Sequence, residues 1–116
     1  MAKSINMEYD CPMNVVINIL SGKWKIAILW HLSKGTIRFN ELQRLLVGIT
    51  QKTLTMQLRE LESDGIIYRE VYAEVPPRVE YRLTEIGESI KPILSSMCEW
   101  GKDYNKLMSS QKEKTI

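Results

Sequence analysis

Hydrophobic positions change their period once along the chain, and the change separates helices from strands. From Val15 to Leu61 apolar residues recur at three- and four-residue steps, one face of an α-helix. Pro12 suits a first helical turn, where its missing N–H is not needed. Val15, Val16, Ile19 and Leu20 carry that helix, about residues 12–20, as far as Ser21-Gly22. A second helix is expected from Lys23 to Leu32. Trp24, Ile26, Ala27, Ile28, Leu29 and Trp30 make it apolar almost all round, hence the most buried. Gly35 ends it, and Ile37-Arg38-Phe39 reads as a short extended piece. Asn40 and Gln43 have the spacing of a capping box, opening a third helix that buries Leu42, Leu45 and Leu46 and stops at Gly48. Thr50 is an N-cap for a fourth helix, Gln51 to Ser63, closed by Gly65.

Beyond Gly65 the period drops to two. Ile67, Val71, Ala73 and Val75 are set against Arg69, Tyr72 and Glu74; after a bend at Pro76-Pro77-Arg78, Val79, Tyr81 and Leu83 alternate with Glu80 and Arg82. The two strands read as a hairpin over about 67–83, with Arg78 at its tip. Thr84 then caps a last helix, about 85–108, whose apolar residues Ile86, Ile90, Ile93, Met97, Trp100, Tyr104 and Leu107 keep heptad steps. That is the seam of a helix packed along another helix, and Pro92 within it predicts a kink or a late start. Residues 1–10 and 109–116 are polar and expected to fray. Helices, a Gly-containing turn, a helix and a hairpin in this order predict a mainly α fold with a small β-hairpin, a single winged helix-turn-helix domain over 1–116.

The fourth helix carries the candidate chemistry. Leu54, Leu58 and Leu61 share one face and must point inward. Lys52, Thr55, Met56 and Arg59 share the opposite face, offering cations, a hydroxyl and apolar atoms to a DNA major groove. Thr50 and Gln51 stand at the N-terminus, where recognition helices meet base edges and backbone N–H groups favour phosphate. Arg78 is placed to reach a minor groove or a phosphate.

Charge sharpens this picture slightly. The 116 residues hold 16 Lys and Arg against 14 Asp and Glu, a net charge of +2. Between Arg38 and Arg59, Arg38, Arg44, Lys52 and Arg59 face one acid, Glu41, so a local +3 exceeds the whole-chain balance. Such a patch fits a polyanion. Hydrophobic content of 44% and charged content of 26% are those of a globular chain.

Several runs together resemble the HxlR-type transcription regulators: Cys11-Pro12; Ser21-Gly22-Lys23-Trp24; Arg38-Phe39-Asn40-Glu41-Leu42; Gly48-Ile49-Thr50-Gln51-Lys52-Thr53-Leu54; Leu58 to Gly65; Val75-Pro76-Pro77-Arg78-Val79-Glu80-Tyr81; and Leu83-Thr84-Glu85-Ile86-Gly87. The resemblance spans about Cys11 to Tyr104. It implies a bacterial winged-helix homodimer of the wider MarR-like group, with first and last helices at the dimer interface and the fourth in the major groove. Carried onto this chain, it implies DNA contact by Thr50 to Arg59, including Thr53, and by Arg78, with Lys23 and Arg38 meeting phosphates. The dimer interface would hold Val15, Ile19, Ile90, Ile93, Met97, Trp100 and Tyr104. Some relatives use a cysteine before this proline as an oxidant sensor. Cys11 stands where a helix N-terminus would favour a thiolate; the other reading is a small apolar residue buried at the dimer interface. Cys98 reads as packed.

Other classes find less support. His31 is the only histidine and lies on an apolar helix; no phosphate loop, GxSxG or HExxH motif occurs. Neither an enzyme nor a cofactor or metal is expected. Glu60, Glu62 and Asp64 read as a solvated cluster. Cys11 and Cys98 form no disulfide framework or zinc site, which points to a reducing compartment. No apolar run reaches about 18 residues, and Met1 to Asn6 has no apolar signal segment, so a cytoplasmic location without membrane partners is expected. The alternative is a winged helix that binds only protein, against which the Lys52/Thr55/Arg59 stripe argues. Single-strand RNA binding through Tyr68, Tyr72 and Tyr81 is a third reading. A cavity near Trp24 and Trp30 leaves a small-molecule effector open.

Overall fold

Residues 11–114 are described by the computed structural model. Helix α1 (Pro12–Ile19) begins on its proline, with Cys11 in extended backbone at the N-cap. There follow α2 (Lys25–Leu32), β1 (Ile37–Arg38), α3 (Phe39–Leu45), α4 (Gln51–Ser63), β2 (Ile67–Tyr72), β3 (Arg78–Leu83), α5 (Glu85–Glu88) and α6 (Lys91–Lys114). The short piece around Ile37 joins the hairpin as a third strand. The antiparallel sheet runs β1-β3-β2, pairing Ile37 with Tyr81, Arg38 with Glu80, Ile67 with Leu83 and Tyr72 with Arg78. The fold is thus mainly α with a small antiparallel sheet, a winged helix-turn-helix.

The core sits where α2 meets α4, β3 and the start of α6. Ile28, Leu29 and Leu32 from α2, Leu54, Leu58 and Leu61 from α4, Leu42, Ile67, Tyr81, Leu83 and Leu94 are buried together. Helix α4 has the expected limits because both ends are local. Thr50 Oγ1 accepts a hydrogen bond from the Thr53 amide at 3.1 Å, and its three leucines land on one inward face. The turn before it needs Gly48, whose φ of 93° is a left-handed conformation that side chains resist.

A second knot holds the foot of the wing. Thr84 Oγ1 accepts from the Gly87 amide at 3.1 Å and reaches the carbonyls of Gly65, at 2.7 Å, and Ile66, at 3.1 Å. One hydroxyl thus caps α5 and ties it to the loop after α4. The approach is so close that a Cβ on Gly87 would lie 2.2 Å from the Ile66 carbonyl oxygen.

The structure corrects several boundaries. Helix α2 starts at Lys25, not Lys23, because Gly22, at φ 95°, still turns the chain there. Asn40 does not cap α3: Arg38 holds the N-cap position and makes no side-chain cap bond, since pairing with Glu80 keeps it extended and draws Phe39 and Asn40 into the first turn. Strand β2 ends at Tyr72, so Ala73 and Val75 belong to the loop. Arg78 then opens β3 instead of forming the tip, because register pairs it with Tyr72. The last helix divides at Ser89-Ile90, and Pro92 becomes the second residue of α6, where no N–H is required. Helix α6 also continues through 109–114, a segment without Gly or Pro, where fraying was expected. Residues 1–10 and 115–116, the rest of the expected frayed ends, lie outside the described residues.

Candidate nucleic-acid interface

Helix α4 presents three surfaces. With Leu54, Leu58 and Leu61 inward, Lys52, Met56 and Arg59 are exposed on the far side and Thr55 is half-buried beside them. Gln51, Lys52, Thr55, Met56 and Arg59 form one open shallow surface, as the spacing predicted. Thr50 is exposed; Thr53 is half-buried, its hydroxyl accepting from Thr50 at 3.0 Å, so it serves the cap as well.

One flank of α4 looks toward the wing. Between them lies a cleft of about 560 Å³, lined by four arginines, Arg38, Arg59, Arg69 and Arg78, with Glu62 and Glu74. Gln51 and Thr55 reach it from the helix. Three of these arginines were expected at the interface; Arg69 was not. Its signal was parity: Arg69 is two residues from Ile67, so the pleat sends both to the same face. Register then sets Arg69 opposite Tyr81. Burial pushes the Tyr81 pKa above its ordinary value, and the charge of Arg69 beside it partly offsets this.

Two other arginines of the cleft, Arg38 and Arg78, are restrained. Arg78, expected to reach out from the wing tip, is held against its neighbours. Its guanidinium lies 4.0 Å over the Tyr72 ring, 3.7 Å from Glu74 and 3.5 Å from Glu80, and its side chain is 28% exposed. The contact with Glu80 is an ion pair without hydrogen-bond geometry. Arg38 Nε is 4.0 Å from the same carboxylate. Arg82 stacks on Tyr68 at 4.3 Å, so two of the three tyrosines considered for RNA stacking are already covered by guanidiniums, and the third, Tyr81, is buried.

The other flank of α4 faces α2. Glu60 Oε1 lies 2.5 Å from Lys25 Nζ, and the Lys25 side chain is only 4% exposed. Glu60 is therefore not a solvated member of an acidic cluster. Lys25 stands on the face of Ile28, Leu29 and Leu32, which its spacing from them could have revealed.

Lys23 stands apart from the other candidate DNA contacts. It is exposed, with its ammonium 4.8 Å over the Trp24 ring, and it lines a groove of about 420 Å³ with Ile26, Ala27, Trp30, Leu94, Met97 and Cys98. This groove adjoins Trp30 but not Trp24, half of the expected cavity. Cys98 is half-buried there, whereas Cys11 is exposed.

The candidate dimer residues fall into two sets. Ile19 and Ile90 pack partly on the chain's own core. Ile93, Met97, Trp100 and Tyr104 form an exposed stripe on α6, with Trp100 and Tyr104 stacked at 5.5 Å. In α1 Val15 is half-buried, nothing is fully buried, and Met13, Val16 and Ile17 are exposed. Among the described residues, no helix is long and apolar enough to cross a membrane.

Comparison with known proteins places this geometry in context. A family model described as HxlR-like helix-turn-helix matches residues 19–109. An uncharacterized HTH-type transcriptional regulator of Methanothermobacter thermautotrophicus is 53% identical over 107 residues, covering 92% of this chain and 82% of that protein. Among solved structures, the redox regulator HypR in its reduced form superposes with a TM-score of 0.80 at 47% identity, over 86% of this chain and 99% of that one. Its oxidized form gives 0.76 at 50% identity, over 80% and 96%.

Proposed function

The chain belongs to the HxlR-like helix-turn-helix family of transcriptional regulators, and on that premise we propose that it binds double-stranded DNA as a homodimer and reads an inverted repeat. The supporting observation is the division of α4 into a buried leucine face and an exposed Lys52/Met56/Arg59 stripe continuous with an arginine-lined cleft. In this reading Lys52, Thr55 and Met56 meet base edges in the major groove, and Arg59 pairs with a base edge or a phosphate. Thr50, Gln51 and Thr53 approach the backbone at the helix start. Arg38 and Lys23 contact phosphates, and Arg78 contacts the flanking groove from the wing. A single domain does all of this in the cytoplasm.

Dimerisation rests on α6. Its 24 residues extend about 36 Å at 1.5 Å per residue, yet among its described side chains Leu94 alone is in the buried core. The stripe from Ile93 through Met97, Trp100 and Tyr104 is an apolar seam for a second copy, and Ile90, Val15 and Ile19 are assigned to the same interface. Half-sites would then lie one or more helical turns apart, roughly 34–36 Å per turn.

Two neighbouring structures are a redox regulator in its reduced and oxidized forms. With that likeness as support, we infer an oxidant effector for this chain too, read through the exposed Cys11. Release of DNA on diamide treatment should disappear in Cys11→Ser; a variant that still releases DNA removes Cys11 as the sensor.

Selection of bound sequences from a random duplex pool tests the main reading. A two-fold symmetric consensus is expected. Against it, Arg59→Ala and Lys52→Ala should each weaken binding, by about 1–3 kcal/mol where a base contact is lost. No enrichment by the wild type would favour a protein-binding adaptor, and unchanged binding by both variants would remove α4 from the interface.

A further inference from the structure

We propose that Arg69 and Arg59 form a phosphate seat in the cleft between α4 and the wing, and that Glu80 holds two other arginines of the cleft, Arg38 and Arg78, in place until a phosphate arrives. The inference rests on the DNA-binding reading and adds a site and a gate to it.

Four observations carry it. Arg69 leaves β2 on the side of Ile67, toward α4, stands opposite Tyr81 in the register, and lines the cleft together with that tyrosine. Arg59 lines the same cleft from the exposed stripe of α4. Four guanidiniums against two carboxylates leave the lining positive, and Arg presents a fork that matches phosphate oxygens. Finally, Arg38 and Arg78 share one carboxylate, at 4.0 and 3.5 Å, and neither contact has the length of a good hydrogen bond.

Glu80 is an awkward group at that position. Register sets it directly across from Glu70, a like-charge pair on adjacent strands. Glu80 therefore gains from the two arginines in the free protein, and an incoming phosphate competes with it for both. The carboxylate acts as an internal stand-in for the phosphate, lowering non-specific affinity while keeping the arginines ordered.

The chemistry required is an anionic phosphate oxygen. A DNA backbone phosphate and a small phosphorylated effector both supply it, and we assign the seat to DNA because the cleft is continuous with the α4 stripe through Gln51, Thr55 and Arg59.

The test is fluorescence anisotropy of the full chain on duplex DNA across a salt series, with thermal melting of every variant. Arg69→Ala should lower the slope of log affinity against log salt by about 0.9, one phosphate, with its melting temperature close to wild type; Arg69→Lys should recover part of the slope. Glu80→Gln should raise affinity about two- to five-fold, as when a half-buried, loosely held ion pair is released. An unchanged slope in folded Arg69→Ala, or weaker binding by folded Glu80→Gln, overturns the proposal. Wild-type protein that binds no duplex overturns the DNA-binding reading instead. Arg69-dependent binding of inorganic pyrophosphate, with DNA affinity insensitive to Arg69, would reassign the seat to a small effector and overturn its assignment to DNA.

Discussion

Removing Glu60 should harm the protein more than removing the lysine it holds. Lys25 Nζ and Glu60 Oε1 are 2.5 Å apart, with side-chain exposures of 4% and 40%. At an effective dielectric constant near 20, charges about 4 Å apart attract by about 4 kcal/mol. Burying the ammonium costs several kcal/mol, so the pair as a whole stabilises little. Glu60→Ala removes the attraction but leaves the ammonium among Ile28, Leu29 and Leu32. Loss of one partner of a buried pair costs about 3–5 kcal/mol; because water reaches the Glu60 side, a smaller loss, about 2–3 kcal/mol, is expected. Lys25→Met removes the charge and refills the volume, and should change stability by less than about 1 kcal/mol. Urea unfolding of the two single variants and the double variant gives the coupling directly. Lys25→Met as damaging as Glu60→Ala, or Glu60→Ala indistinguishable from wild type, would refute the reasoning.

Three further outcomes are expected. Gly87→Ala would set a Cβ 2.2 Å from the Ile66 carbonyl oxygen, backbone against backbone; a loss of about 2 kcal/mol or more should appear in urea unfolding, and an unchanged midpoint would contradict the packing at Thr84. Burial raises the Tyr81 pKa, so above about pH 10 the unfolded chain loses this proton more readily than the folded one. The stabilising contribution is present below that pH and disappears as pH rises through the folded value; unfolding titrations on both sides of pH 10 should show a shallower alkaline decline for Tyr81→Phe. Trp100, 68% exposed on the α6 stripe, should be an anchor of the dimer. Trp100→Ala should weaken self-association by about 30-fold or more, measured by sedimentation; an unchanged dimer would move the interface elsewhere.

What the sequence made legible is what short-range rules decide. The limits of α4 follow from Thr50 and from leucines at helical spacing, both inside one segment. Asn40 shows the failure of the same logic. Its spacing to Gln43 satisfies a capping box, but pairing of Arg38 with Glu80 moves the helix start, and that pairing joins residues about forty apart. Arg78 was misplaced for a like reason: composition marks a turn near Pro76-Pro77, while only register shows that β3 has begun. Lys25 was readable as a core-facing position from its steps to Ile28, Leu29 and Leu32. That Glu60 would meet it was not, since the contact depends on how α4 crosses α2. The α6 stripe was readable because a heptad pattern declares its own need for a partner.

These contacts together explain how the exposed stripe of α4 is aimed. A helix held by three leucines alone could roll about its axis at little cost, and a roll of one residue is 100° while a useful shift at the groove is far smaller. A polar flank opposes such motion. Glu60 is tied to the buried Lys25 of α2, while Arg59 and Glu62 border the cleft toward the wing. Arg59 immediately precedes Glu60 in the chain, so the ion pair that neutralises a buried ammonium also sets the angle at which Arg59 leaves the helix. A polar contact with little net stability can in this way be retained for orientation. The exposed residues that would read DNA thus take their direction from a pair that would never touch it.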